Sequence, residues 1–267
     1  MEMTLLLFLT FLGVGLAAGF LAGFVGVGGG IIMVPVLLEI FRNAGVPEEA
    51  VVQAAMGTSL SVAVFSVSSS IFRHQRQGNI RWQLVRWLAP GSMIGGWLAA
   101  YLASRLPGSW LQMVLMVLMV FAAARMLSSR EMPDSPDHKA AKWKVGLTGL
   151  GVGMVAGLSG LAGGIVLVPA LSLILGLPGG WLAATSSGTI IFSALAAAVG
   201  YLTLSPPMNL GPGFLGYVCL PLVVPLAMGA IPAAQLGAFI NRRTEGDLFQ
   251  KLFGGLLLLV AVRLLLQ

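Results

Sequence analysis

Hydrophobic positions run almost unbroken along this chain, and the few interruptions fall at matching places in its two halves. No Lys, Arg, Asp, Glu or His occurs from Thr4 to Leu38 or from Val145 to Asn241. One straight helix over the first stretch would be about 50 Å long, well beyond a hydrocarbon core of about 30 Å, so the segment must break and double back. Glycines mark the break. The pattern predicts helices over 4–26, 30–41, 50–72, 82–104 and 109–128, then over 145–160, 164–176, 181–203, 214–240 and 247–266.

The halves are related in detail. GFVGVGGGIIMVP at 23–35 returns as GLSGLAGGIVLVP at 157–169, with seven of thirteen positions identical. Downstream, Pro47 with Gly57-Thr58 pairs with Pro178 and Gly188-Thr189, and Gln112 with Arg125 pairs with Gln250 and Arg263. The fold class is therefore an all-α integral membrane protein of two repeats, each a glycine-broken helical segment plus three transmembrane helices. Residues 1–128 form the first repeat, 129–144 a polar cytoplasmic linker with two prolines, and 145–267 the second repeat. Glycine-broken helices at matching positions of a duplicated membrane chain point to a secondary transporter and its binding site.

Composition agrees. Of 267 residues 57% are hydrophobic and 9% charged, against about 25% charged in soluble domains. Little polar sequence is left for a soluble catalytic or nucleic-acid-binding domain. The apolar N-terminal run lacks a basic leader and recurs internally, so it reads as a retained membrane segment. A single cysteine, Cys219, excludes an intramolecular disulfide and a cysteine metal cluster, and the sequence suggests neither metal nor cofactor.

The net charge of +6 is a topology signal. Basic residues gather at Arg73, His74, Arg76, Arg81 and Arg86, at Arg125, Arg130, Lys139, Lys142 and Lys144, and at Arg242 and Arg243. If the broken segment crossed once, the halves would be parallel and Arg242-Arg243 would lie outside. If it enters and returns, the halves are inverted, and 73–81, 125–144 and 241–247 all face the cytoplasm, as the rule for basic loops requires. The inverted arrangement is expected, in a multi-pass protein of the cytoplasmic membrane with both termini outside.

Two constellations could carry chemistry. Gly26, Gly28, Gly29 and Gly30 match Gly160, Gly163 and Gly164, and a helix restarting at each break would turn its free amides and positive dipole end on the gap, an anion site. Pro35 and Pro169 follow within the first turns of the restarted helices. Gly15, Gly19 and Gly23, with Gly149, Gly153 and Gly157, have the spacing of close helix packing. The second constellation is hydroxyl-rich: Thr58, Ser59 and Ser61, then Thr185, Ser186, Ser187 and Thr189. Hydroxyls can donate to an anion without a buried charge, or bond back to their own helix. The expected substrate-binding set is Gly26, Gly28, Gly29, Gly30, Thr58, Ser59, Gly160, Gly163, Gly164, Ser186 and Thr189. Glu39, the one acid in a membrane segment, reads as a solvated cap more readily than as a proton relay.

Gly157-Leu158-Ser159-Gly160 fits an intramembrane serine protease, but both histidines, His74 and His138, stand in polar runs, which leaves no base and argues against an enzyme. Gly13-Val14-Gly15 and Gly151-Val152-Gly153 lack the strand and acidic residue of a nucleotide loop.

The paired glycine motifs, each followed by a proline and a Gly-Thr, resemble the TauE/SafE family of sulfite exporters over essentially the whole chain. The resemblance implies export of small anions such as sulfite, organosulfonates or carboxylates, by alternating access around a midplane site. Its partners would be a small anion and membrane lipid, with no nucleic acid and a homo-oligomer left open. A passive anion channel and an intramembrane hydrolase are the rival readings. Ala162 stands where the first motif has Gly28, so the second break would be less open.

Overall fold

A computed structural model describes residues 5–26, 28–127, 141–174, 177 and 179–241. Most of the linker, Arg242, Arg243 and the expected last helix over 247–266 lie outside the described residues. In chain order the elements are α1 (Leu5–Val25), α2 (Gly30–Asn43), α3 (Glu48–Gln77), α4 (Trp82–Ala103), α5 (Gly108–Leu127), α6 (Lys142–Ser159), α7 (Gly164–Leu173), α8 (Gly179–Thr203), β1 (Phe214–Leu215), β2 (Val218–Cys219) and α9 (Leu220–Asn241). Four of the described helices, at Leu5–Val25, Glu48–Gln77, Gly180–Thr203 and Leu220–Ile240, are long and apolar enough to cross a membrane. Large apolar side chains such as Ile94, Trp97, Met113, Val117, Val224 and Leu236 stay exposed. Such a surface suits lipid better than water.

Each repeat lends its fourth helix to the other. α1 packs along α9, and α6 along α4. Gly15, Gly19 and Gly23 present their Cα atoms to the carbonyls of Leu226, Ala230 and Ala234, and Gly149 and Gly153 to those of Leu88 and Ser92. Both pairs therefore run parallel. Small residues admit this approach, and a Cα–H facing a carbonyl adds a weak attraction along the seam. Any side chain there would enter the partner backbone, so the expected packing role of these glycines holds.

α3 and α8 form the centre and run antiparallel. Gly57, early in α3, abuts Tyr201 near the end of α8, while Ile71, late in α3, packs against the cluster that Ala184, near the start of α8, forms with Ile80 and Val85. The chain doubles back at both breaks, since Gly29 lies beside Ala18 and Ala22 of α1, and Gly163 beside Val152 and Ala156 of α6.

The expected helix over 214–240 begins late, because a β-hairpin precedes it, with Phe214 opposite Cys219 and Leu215 opposite Val218. Gly211, Gly213 and Gly216 all have positive φ, which winds the chain away from a helix. Tyr217 N–H donates to the Tyr201 carbonyl at 2.9 Å and anchors the turn. Charge segregates by end. Arg73, Arg76, Arg81, Arg86, Lys142 and Lys144 lie where α3 ends and α4, α6 and α8 begin, several of them over aromatic rings. Glu48 and Glu49 lie at the other end, with Arg42 and Arg105.

Candidate functional site

Both breaks adopt one backbone path. φ is +73°, +91° and +73° at Gly26, Gly28 and Gly29, and +70°, +58° and +83° at Gly160, Ala162 and Gly163. Ala162 is the only non-glycine with positive φ among the described residues, a conformation costing an L-residue roughly 1–2 kcal/mol. Gly29 and Gly163 cap the starts of α2 and α7, which Gly30 and Gly164 open. Pro35 and Pro169 sit in the sixth position of these helices, beyond the first turn where they were expected. A proline there leaves a helix carbonyl without its usual donor.

The breaks meet each other. A Cβ on Gly28 would fall 2.5 Å from the Cβ of Ala162, its counterpart, so one methyl fills the space between the two breaks. The departure at Ala162 is thus a packing asymmetry. The start of α2 at Gly30 abuts the Gly160 carbonyl that ends α6.

The hydroxyl residues hold the breaks from the central helices. Ser59 donates to the Gly160 carbonyl at 3.0 Å and Ser186 to the Gly26 carbonyl at 2.9 Å. Thr58 Oγ1 accepts the Cys219 amide at 3.1 Å, and Thr185 Oγ1 the Arg81 amide at 3.1 Å. All four side chains are buried. In this arrangement the serine protons are spent on break carbonyls, whereas each threonine keeps its own proton for a further acceptor.

These bonds correct the pairing of Thr58 with Thr189. Thr58-Ser59 corresponds to Thr185-Ser186, as Gly26 against Ala183 and Gly160 against Met56 also require. Thr189 bonds back to the Thr185 carbonyl at 3.1 Å in its own helix. Of the expected set, all except Thr189 lie at the breaks or on the hydroxyls that bind them; Thr185 takes its place. The repeated Thr-Ser dipeptide was the signal for it.

Two further residues continue the symmetry. Tyr201, buried, donates to the Gly157 carbonyl at 2.8 Å. His74 occupies the equivalent place near the Gly23 carbonyl and is also fully buried, which corrects its reading as part of a solvated basic run. Ser159 donates to the Val155 carbonyl and accepts the Leu161 amide, so its hydroxyl is engaged in ending α6. Glu39 is partly buried on α2. No group of three metal-binding side chains occurs among the described residues.

Residues 11–264 match the family model described as sulfite exporter TauE/SafE. A probable membrane transporter protein of Haemophilus influenzae is 28% identical over 95% of this chain and 96% of its own. One from Methanocaldococcus jannaschii is 29% identical over 86% of this chain and 85% of its own. Bacillus subtilis YunE, also named a probable membrane transporter protein, is 26% identical over 95% of both chains. Among solved structures none matches. With the family model covering nearly its whole length, this multi-pass membrane chain belongs to the sulfite exporter TauE/SafE family.

Proposed function

We propose that this protein is a transporter of small anions, sulfite, organosulfonates or small carboxylates, working by alternating access around its paired helix breaks. One observation carries the reading: each break is held by a serine from the central helix of the opposite pair, Ser59 on Gly160 and Ser186 on Gly26. Matched breaks in a duplicated membrane chain are where secondary transporters bind. The site would comprise Gly26, Gly28, Gly29 and Gly30, Gly160, Gly163 and Gly164, with Thr58, Ser59, Thr185 and Ser186. Break amides and threonine protons would hold the anion without a fixed charge, by hydrogen bonds of about 1.5–3 kcal/mol each.

The antiparallel course of α3 and α8 supports inverted repeats, because parallel halves would run these counterparts the same way. The cationic end then faces the cytoplasm, and the termini lie outside. Relatives named probable membrane transporter proteins agree with transport.

Flux of sulfite, sulfoacetate, thiosulfate and small carboxylates through purified protein in liposomes tests the proposal. Saturable flux of at least one sulfur anion is expected. Flux that never saturates would make the protein a channel, and no flux of any anion would refute the reading.

A further inference from the structure

The end of α3 and the turn after it hold polar atoms that no described residue satisfies. Ser70 Oγ, Arg73 Nε, both ring nitrogens of His74, Gln77 Oε1 and Asn79 Oδ1 are buried without a hydrogen-bond partner. Each such atom costs about 1–3 kcal/mol, so a cluster of them calls for a reason. The second repeat, which has Tyr201 in place of His74, satisfies its hydroxyl on the Gly157 carbonyl.

The donors and acceptors around His74 fit one protonation state. The ring lies within reach of the Gly23 carbonyl and the side chains of Asn79 and Gln77, although neither nitrogen is aligned for a bond. The acceptors there are the Gly23 carbonyl and the unpartnered oxygens of Gln77 and Asn79. A neutral imidazole has one N–H to give and turns a lone pair on the other acceptors, whereas an imidazolium donates from both nitrogens.

Charge decides when that form is stable. The ionisable side chains around this end are Arg73 and Arg76 of α3, Arg81 ahead of α4, Arg86 of α4, and Lys142 and Lys144 at the start of α6. The described parts of α1, α8 and α9, which pack against α3, bring none. A buried imidazolium gains a counter-charge only when an anion arrives, and the orphaned Ser70 hydroxyl can donate to that anion. By linkage, the anion then tightens the proton and the proton tightens the anion.

We propose that His74 is the proton-binding site of this transporter, taking one proton onto a ring nitrogen as the substrate anion binds and releasing it when the anion leaves. The proposal rests on the anion-transport reading. It assigns the coupling ion, which no motif in the sequence supplies.

The test uses full-length protein in liposomes with sulfoacetate outside and a trapped pH dye inside. The wild type should move about one proton with each anion, and its accumulation should follow an imposed pH gradient. His74→Tyr, which installs the residue of the other repeat and should therefore fold, and His74→Gln should each lose at least tenfold of the gradient-driven accumulation. The proton-to-anion ratio of their remaining flux should fall to near zero. In a His138→Gln background, where His74 is the only imidazole, histidine nitrogen NMR should show saturating sulfoacetate moving its titration to higher pH. Anion flux in the wild type with no proton movement, pH-driven accumulation surviving in both variants, or an imidazole that ignores sulfoacetate would each overturn this proposal alone. No anion flux in the wild type would overturn the transport reading and this proposal with it.

Discussion

At the residue scale, one methyl group fills the space where the two breaks meet. Ala162 carries it at positive φ, and Gly28 leaves room for it. Gly28→Ala would put a second methyl into space already filled and strain another φ, an overpacking expected to cost about 1–3 kcal/mol. Ala162→Gly relieves the strain and empties the space. The double change restores one methyl, now carried by the first break, and should recover at least half the stability lost by Gly28→Ala, read as the melting temperature of purified protein. If the two effects simply add, the residues are not in contact. The sequence displayed this mismatch, but only the contact between the two breaks shows that it fills space.

Among elements, the joints between the central helices and the segments leading into α4 and α9 carry the symmetry. Gly78 and Gly216, both at positive φ, swing the chain so that the amides of Arg81 and Cys219 reach Thr185 and Thr58. Thr58→Val and Thr185→Val each strand a backbone N–H and should cost about 1–3 kcal/mol. Thr189→Val loses a bond within its own helix and should cost under about 1 kcal/mol. Thermal unfolding of the three variants decides the register, and a Thr189→Val effect as large as the others would reinstate the original pairing. The breaks were legible because glycine is the residue that positive φ favours. The register was not, because α7 has 10 residues where α2 has 14, so the second repeat slips after its break and a coincidental Gly-Thr took the match. The hairpin before α9 escaped notice because its glycines interrupt an otherwise apolar run. His74 was hidden by its arginine neighbours, which made a buried ring look like part of a solvated loop.

For the whole molecule, the proposed inverted topology fixes which end faces which compartment. The inverted arrangement puts the loop at 205–213 outside and the cationic end inside. On a Cys219→Ser background, Asn209→Cys should react with an impermeant thiol reagent added to intact cells, and Gln83→Cys, exposed at the cationic end, only after the membrane is opened. The opposite pattern would reverse the orientation, and labelling of both from outside would remove the inverted topology.

The exchanged seams also set an order of assembly at the ribosome. α6 emerges to find α4 already made, and its glycine face can close at once. α1 is synthesised first, yet Gly15 and Gly19 meet Leu226 and Ala230 only when α9 has been inserted. Until then the first helix waits in lipid with its packing face uncovered, and contacts so distant in sequence form late. A ribosome that stalls before α9 therefore leaves an orphaned helix, a natural mark by which membrane quality control could recognise an unfinished chain.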